Sequence, residues 1–394
     1  MSIFNSTGKY ETVKLRPEDE LLLNCARTDV NSEIRDKILY LVQNKLDWHY
    51  LLNLASRHRL LPLLYYNLNS ICPELVHEDI LGELKDKFNA NVRKNLMLTG
   101  EMIKVLNLLE SEGITAVPYK GPVLASMAYG NIGLREFSDI DIFIQEADVL
   151  EAKKLLLSND FVLCFEFNHI TDKFYLKTQR EYGLLNTNTG VVTELHWDFH
   201  GPFFYLPLET DYFYDSLKTI DINGFTVSSF TPENLFIILC IHNAKHDWGK
   251  LGWICDISQL IQNYKMDWTL ILEKSGKLGI QRIVNINFSL ANDLFKLNLP
   301  EDILHSLNSD PVIKKMSLLI KNKLFSETIC EFSLINKLFF DLRKRESFYY
   351  GIKDSILGLT VPAYPDFESL CLPEVLYPLY YLFRPIKLLK RYKI

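Results

Sequence analysis

Residues 118–145 read PYKGPVLASMAYGNIGLREFSDIDIFIQ, and near their end Asp139 and Asp141 flank one isoleucine in an apolar run. Side chains alternate along a strand, so both aspartates share one face and the neighbouring isoleucines share the other, which is expected to face the core. Two unpaired buried carboxylates would be costly, whereas a divalent cation bound by both would offset their charge. The pattern therefore predicts a magnesium or manganese site. The alternative is that Ser138-Asp139 forms a turn and Asp141 is an exposed strand residue.

Upstream of the aspartates, Lys120-Gly121-Pro122 joins a predicted strand to a predicted helix. Gly121 permits a close backbone approach, and Pro122 suits the first helical turn. The free N–H groups of this turn would open at the end of the strand, where backbone donors and the helix dipole can hold a phosphate. Lys120 would add a positive charge.

The loop before the aspartates carries a second candidate for phosphate binding, Arg135. A guanidinium can bind phosphate, or it can brace a carboxylate. The structural alternative is an ion pair with Glu136 or Asp139.

A further carboxylate occurs in the apolar strand pattern of GVVTELHWDFH, residues 190–200, where Glu194 shares a face with Val192 and His196. Glu194 is a candidate for the third acid of a metal site. The alternative is an acid on a solvated face of the sheet.

Length and composition limit the classes of protein. The 394 residues suggest two or three units, and 43 basic against 49 acidic side chains give no strong signal for nucleic-acid binding. The seven cysteines are scattered without a Cys-x-x-Cys pair, which favours a reducing, cytoplasmic location. The N-terminus lacks the pattern of a signal peptide, and the apolar runs are shorter than the ~20 residues of a transmembrane helix.

The pattern along the chain changes twice. Apolar spacings of three and four predict a helical region that ends at Gly113, and Thr231-Pro232 begins a second helical region with an N-cap threonine. We predict three parts: an N-terminal helical region (1–95), a core (96–228) and a C-terminal helical domain (229–394). The aromatic and basic C-terminal segment is expected to pack on the body, with contact to a membrane or an anionic ligand as the alternative.

The middle part alternates strands and helices. Strands are predicted at residues 114–119, 139–145 and 161–167, helices at 122–129 and 147–157, and a hairpin at 180–185 and 191–199. These elements predict an α+β fold with a mixed sheet.

Several polar residues lie on the first helix of the C-terminal domain and on the next one. His242 and His246 are four residues apart, a spacing that could bind zinc, but the zinc-protease motif requires glutamate where Asn243 stands. A second interpretation has Lys245 or His246 reaching phosphate with Asp256 bracing them. A third has His242 packing in a helix interface with Trp253, and Asp256 satisfying both.

Taken together, KG followed by a helix, R-x-x-S-D-I-D and the later strand E-L-H-W resemble the DNA polymerase β-like nucleotidyltransferase superfamily. More narrowly, LLNLASRHRLLPLLYYNL (residues 51–68) and PENLFIILCIHNAKHDWGKLGWICDISQLI (residues 232–261) resemble the bacterial family called uncharacterised nucleotidyltransferase. The resemblance implies a polymerase β-like mixed-sheet core flanked by N-terminal and C-terminal helical regions.

The resemblance also implies a function, the transfer of a nucleoside monophosphate from a nucleoside triphosphate to an acceptor hydroxyl with release of pyrophosphate. Asp139, Asp141 and Glu194 would be the catalytic residues and the ligands of two Mg²⁺ or Mn²⁺ ions. ATP is the default nucleotide, and the acceptor is expected to be a small molecule or a peptide. The alternatives are a weakly active or inactive binding protein of this fold and a zinc-dependent hydrolase.

The remaining candidate residues divide into two groups. The residues expected to contact the nucleotide are Lys120, Gly121, Arg135, Ser138, Lys245 and His246. The residues expected to orient the metal ligands without binding the metal are His196, His242 and Asp256. The superfamily helix usually opens with Gly-Ser, whereas this one opens with Lys-Gly-Pro. This helix therefore lacks the serine that contacts phosphate in the superfamily.

Overall fold

The computed structural model describes residues 14–207, 210–326 and 334–391. The start of the N-terminal stretch that lacks a signal-peptide pattern, Cys330 and the last three residues lie outside these ranges. No helix in the described ranges is both long and apolar enough to cross a bilayer.

Helices precede and follow a central region of strands. The first helices are α1 (Pro17–Cys25), α2 (Ser32–Val42), α3 (Trp48–Arg57), α4 (Leu61–Ile71) and α5 (Glu78–Ser111). The central region contains β1 (Val117–Pro118), α6 (Gly121–Tyr129), β2 (Asp139–Phe143), α7 (Val149–Leu157), β3 (Phe161–Leu163), α8 (Asp172–Thr178), β4 (Glu181–Asn186), β5 (Val192–His196), β6 (Leu217–Ile222) and β7 (Phe225–Phe230). The later helices are α9 (Pro232–Lys245), α10 (Leu251–Asn263), α11 (Trp268–Lys277), α12 (Gln281–Phe295), α13 (Glu301–Ser309), α14 (Pro311–Leu324), α15 (Leu334–Lys344), α16 (Phe348–Thr360), α17 (Tyr364–Ser369) and α18 (Pro378–Arg391).

The main sheet has five strands in the order β1-β2-β5-β4-β3. Strands β2 and β5 are parallel, whereas β1 pairs with β2, β4 with β5 and β3 with β4 in antiparallel fashion. Strands β6 and β7 form a separate antiparallel hairpin. The predicted α+β class with a mixed sheet is confirmed.

The predicted alternation in β2 places its isoleucines in the core. Ile140 and Ile142 are fully buried, and the buried face of α6, including Val123 and Leu124, belongs to the same apolar cluster. This packing fixes the orientation of β2, because a shift of one residue would turn the aspartates into the core.

Several predicted elements differ from the observed ones. Strands β1 and β3 are shorter than predicted; Pro118 has no N–H to extend a ladder, and the chain turns into α6 directly after Lys120. Helix α8 and the β6–β7 hairpin were not predicted. The hairpin turn is Asn223-Gly224, with both residues at positive φ, which is the turn chemistry typical of two-residue hairpins.

The predicted helix ends agree with the observed ones. Gly113, at φ +75°, follows the end of α5, and the Thr231 hydroxyl accepts a hydrogen bond from the Asn234 N–H at the start of α9 (3.3 Å). Helix α5 runs unbroken across residues 95 and 96, so the first predicted boundary falls within a helix. The division into three independent regions stays a prediction.

The C-terminal segment packs on the body of the protein. Tyr380 is buried with Phe367, and Arg384 forms an ion pair with Asp366 (2.6 Å). Leu382 and Phe383 on the same helix are exposed.

Helix α10 is joined to the α3–α4 turn by a buried histidine. The Leu251 N–H donates to Nδ1 of His58 (3.1 Å), and Nε2 of His58 donates to the Leu324 carbonyl (3.0 Å). Burial, with Arg57 nearby, lowers the pKa of His58 to about 4, so the ring is neutral at pH 7. The Gly252 N–H donates to the His58 carbonyl (3.1 Å), and a Cβ at position 252 would lie 2.5 Å from that oxygen.

We therefore expect Gly252→Ala to destabilise the protein by about 1–3 kcal/mol, because the added methyl group would force α10 away from the α3–α4 turn. The free energy of unfolding in urea measures this. Gly276→Ala is the matched control, since a Cβ at that helical position has no atom within 4 Å. Equal stability of the two variants would contradict the prediction.

Candidate functional site

The pairing of β2 with β5 brings two of the predicted acids side by side. Asp141 and Glu194 are direct partners in the parallel register, and His196 lies two residues further along the same face of β5. Nε2 of His196 is 3.3 Å from Oδ1 of Asp141 and 3.2 Å from Oε2 of Glu194. Each of the three residues offers one ligand atom, and these atoms lie within 4.8 Å of one another. His196 thus stands among the possible ligands and not outside them.

Lys120 compensates the charge of Asp141. Nζ of Lys120 lies 2.6 Å from Oδ1 of Asp141, and both side chains are largely buried. Burial alone would raise the pKa of Asp141, but Lys120 and His196 outweigh it and hold this pKa well below its usual range. Burial likewise opposes the charge on Lys120, yet the Asp141 carboxylate raises the pKa of Lys120. The lysine expected at phosphate is therefore engaged with a carboxylate.

Asp139 lies at the start of β2, on the same face as Asp141, and is partly exposed. Burial, together with the negative charges of Asp141 and Glu194, raises the pKa of Asp139. Its carboxylate is 3.5 Å from the Ser138 hydroxyl. A cation bound beside Asp139 would relieve the repulsion between its carboxylate and those of Asp141 and Glu194.

A fourth acid, Glu181, extends the site along β4. Glu181 pairs with His196 across β4 and β5, and its Oε2 lies 3.4 Å from Nδ1 of His196 and 3.6 Å from Nζ of Lys245. Burial lowers the pKa of His196, but hydrogen bonds to Asp141 and Glu194 and the charge of Glu181 raise it overall to about 9. Sequence reasoning missed Glu181, although it lies in the first strand of the predicted hairpin; the observed register places it opposite His196.

Arg135 and Asp256 form a buried ion pair with each other. Nε and Nη2 of Arg135 donate to the two oxygens of Asp256 (2.9 and 3.0 Å), and the Tyr129 hydroxyl donates to Oδ1 (2.7 Å). The pair joins the loop before β2 to helix α10. Two interpretations from the sequence are thus corrected: Arg135 does not pair with Glu136 or Asp139, and Asp256 does not brace Lys245, His246 or His242. Arg135 and its carboxylate partner are 121 residues apart in the sequence, so no local pattern predicts this ion pair.

His242 and His246 lie against an indole ring. Their ring centroids are 4.7 Å apart, and each is about 5 Å from the centroid of Trp253 (5.0 and 5.3 Å). Burial and the neighbouring Lys120 lower the pKa of His242 well below its usual range. Desolvation and Lys245 lower the pKa of His246 to about 4. In the part of the chain that the structure describes, the two histidines are not in a group of metal-ligating side chains, so no observation favours a zinc site.

Gly121 adopts the strained backbone that its position required. Its φ is +50°, and a Cβ there would lie 3.3 Å from the Asp139 carbonyl oxygen. The close approach is therefore between the α6 start and strand β2. This close approach places Lys120 in contact with Asp141.

Three basic side chains from distant elements approach the start of β2. Arg59 lies in the α3–α4 turn, Lys94 on α5 and Lys250 before α10, and each interacts electrostatically with Asp139. Lys94 lies on the part of α5 where Asn91 and Asn95 donate to the Arg135 carbonyl. Sequence reasoning did not single out these cations, because only the tertiary fold brings them together.

The mixed sheet with three acids and a histidine on one face of β2 and β5 defines the class of protein as a nucleotidyltransferase-type fold. The chain belongs to the family described as uncharacterised nucleotidyltransferase, whose model matches residues 44–296.

One solved structure that the chain resembles is an antigenic nucleotidyltransferase-like protein from Paracoccidioides brasiliensis. That protein is 22% identical, with a TM-score of 0.33, and the match covers 54% of this chain and 93% of the other. No curated protein matches the chain.

Removal of the buried partner of Arg135 tests its structural role. We expect Asp256→Ala to lower the free energy of unfolding by about 3–5 kcal/mol, because Arg135 would be left buried without its carboxylate. Chemical denaturation measures this. Glu273→Ala, which breaks a fully exposed pair with Lys277, is the control and should leave the unfolding midpoint unchanged. A stable Asp256→Ala protein that had lost nucleotide binding would instead assign Arg135 to the ligand.

Proposed function

We propose that the protein transfers a nucleoside monophosphate from a nucleoside triphosphate to an acceptor hydroxyl, with release of pyrophosphate. The observation that carries this proposal is the adjacency of Asp141 and Glu194 in parallel strands, with Asp139 on the same face. Membership of the nucleotidyltransferase family supports the same chemistry. ATP is the first nucleotide to test.

The residues fit a divalent cation. Asp141, Glu194 and His196 would hold it, with Asp139 as a further ligand, since their ligand atoms are close together and Asp141 is held ionised. The cation would take the place of the proton that the neighbouring acids hold on His196. Such a cation would supply charge stabilisation for the triphosphate and lower the pKa of an acceptor hydroxyl. Two carboxylates suit Mg²⁺, and the imidazole of His196 shifts the preference towards Mn²⁺.

The proposed transfer needs a proton acceptor and groups that position the reactants. The acceptor oxygen forms a bond to the α-phosphorus while the bond from that phosphorus to the bridging oxygen of pyrophosphate breaks. Glu194 is suited to accept the hydroxyl proton, because its side chain is 29% exposed while that of Asp141 is 5% exposed. Catalysis then depends mainly on positioning and charge stabilisation.

The triphosphate has two groups of possible contacts. Lys120 and Arg135 already have buried carboxylate partners, so we assign charge stabilisation of the phosphates first to Arg59, Lys94 and Lys250 near Asp139. Lys245 and His246 border the other side of the site and stay candidates for nucleotide contact. Ser138 and the α6 start at Gly121 lie beside Asp139 and complete the proposed contacts.

The function is tested by incubation of the purified chain with each labelled nucleoside triphosphate and Mg²⁺ or Mn²⁺, with pyrophosphate release as the readout. Asp141→Asn combined with Glu194→Gln should reduce the rate of pyrophosphate release by about 10²-fold or more. Both substitutions remove a charged metal ligand, and Glu194→Gln also removes the proposed proton acceptor. Glu151→Gln, an exposed carboxylate-to-amide change on α7, is the matched control.

Two results would contradict the proposal. Pyrophosphate release that persists in the double variant would remove the site from the reaction. Metal-dependent binding of triphosphate by a wild-type chain that releases no pyrophosphate would favour the alternative of a binding protein that retains the fold.

A further inference from the structure

A cavity of about 250 Å³ lies beside the acid site, on the side of the C-terminal helices. Its walls come from the chain after β5, the end of α9, and helices α15, α16 and α18. It lies outside the Asp141–Glu194–His196 group.

Lys245 connects this cavity with the acid site. It lines the cavity and also contacts Glu181, which in turn contacts His196 (3.6 and 3.4 Å). Gly201 leaves room for the lysine stem, since a Cβ at that position would lie 3.1 Å from Cε of Lys245. A molecule in the cavity that extends past Lys245 would therefore point towards the acids.

The cations of the cavity wall are neutralised by carboxylates. Lys337 and Lys344 each bind both Asp247 and Asp341 at 2.5–2.9 Å. Arg384 pairs with Asp366 and lies over the Phe203 ring (4.8 Å). Each of these cations thus contacts at least one carboxylate, although Arg384 shares Asp366 with Lys387 (3.3 Å). Paired charges of this kind favour neither a polyanion nor a polycation.

The rest of the wall is largely apolar, with a few hydrogen-bonding groups between. Its apolar residues are Phe203, Phe204, Leu338, Leu359 and Leu388, and Ser355 and Asp354 add polar atoms. Apolar walls with a small number of polar groups are typical of sites for small molecules.

We propose that this cavity is the acceptor subsite, and that the acceptor is a small, uncharged, hydroxyl-bearing molecule with an apolar body. The assignment of the ligand as an acceptor rests on the proposed function, whereas the binding of such a molecule in the cavity does not. The reacting hydroxyl is on the end of the molecule that passes Lys245 towards Glu194. Nucleic acids, phosphorylated acceptors and polyamines do not match the charge balance of the walls.

Gly358 on α16 offers a direct test, because it lines the cavity and a Cβ there would meet no atom within 4 Å. Gly358→Leu would add side-chain atoms at the cavity wall, and its Cβ would meet no atom of the protein. Gly276→Leu is the matched control on α11, where a Cβ is equally free. Thermal unfolding of both variants verifies that each is folded.

The probe is 4-nitrophenyl β-D-glucopyranoside, which is uncharged and carries both hydroxyls and an apolar ring. Glucose 6-phosphate and spermidine are the charged comparators. Calorimetry without nucleotide or metal should show binding of the glucoside to the wild type and to Gly276→Leu. Binding to Gly358→Leu should be weaker by about tenfold or more, as expected when side-chain atoms occupy a ligand pocket.

The proposal is overturned if the glucoside does not bind, if Gly358→Leu binds it as the wild type does, or if a charged comparator binds more tightly. Pyrophosphate release with MgATP is measured separately. Loss of glucoside binding in Gly358→Leu, with no pyrophosphate release from the wild type, would support a ligand cavity while contradicting the proposed function and the acceptor role. Glucoside-stimulated release that is absent in Gly358→Leu would support both.

Discussion

The parallel pairing of β2 with β5 is the constraint on which the site depends. It sets Asp141 directly beside Glu194, and the buried isoleucines of β2 fix which face carries the acids. A slip of one residue in either strand would send a carboxylate into the core, so the packing that stabilises the sheet also specifies the site. Stability and chemistry are therefore set by the same register.

The concentration of carboxylates is compatible with folding because cations accompany it. Lys120 and His196 lower the proton affinity of Asp141, and Lys245 contacts Glu181. Asp139, further from these cations, instead has a raised pKa. The negative charge is thus balanced by direct ion pairs at the interior end of the site, whereas at the exposed end Asp139 interacts electrostatically with Arg59, Lys94 and Lys250. A cation and a triphosphate entering from solvent would meet the acids at that exposed end.

Local sequence patterns predicted the strands and helices that carry the site. They did not predict which side chains from distant parts of the chain contact each other there. The alternation around Asp141 and the N-cap at Thr231 were readable because each depends on residues within one strand or one turn. The Arg135–Asp256 pair and the approach of Lys250 depend on how α10 packs against the loop before β2. The β6–β7 hairpin is different, since Asn223-Gly224 was a readable turn signal that the sequence analysis overlooked.

The acid site and the neighbouring cavity differ in how far the family match covers them. The family match, residues 44–296, includes the acids, Lys120 and Lys245, whereas α15, α16 and α18, which close the neighbouring cavity, follow it. The proposed transfer depends on charge and positioning around the phosphates, and the residues assigned to it lie in the matched part. Recognition of an acceptor depends on the shape and charge balance of a pocket, which later helices can change without disturbing β2 or β5. Under the proposed function, the acids therefore lie within the family match and the acceptor cavity is closed by helices that follow it, with Lys245 in contact with both.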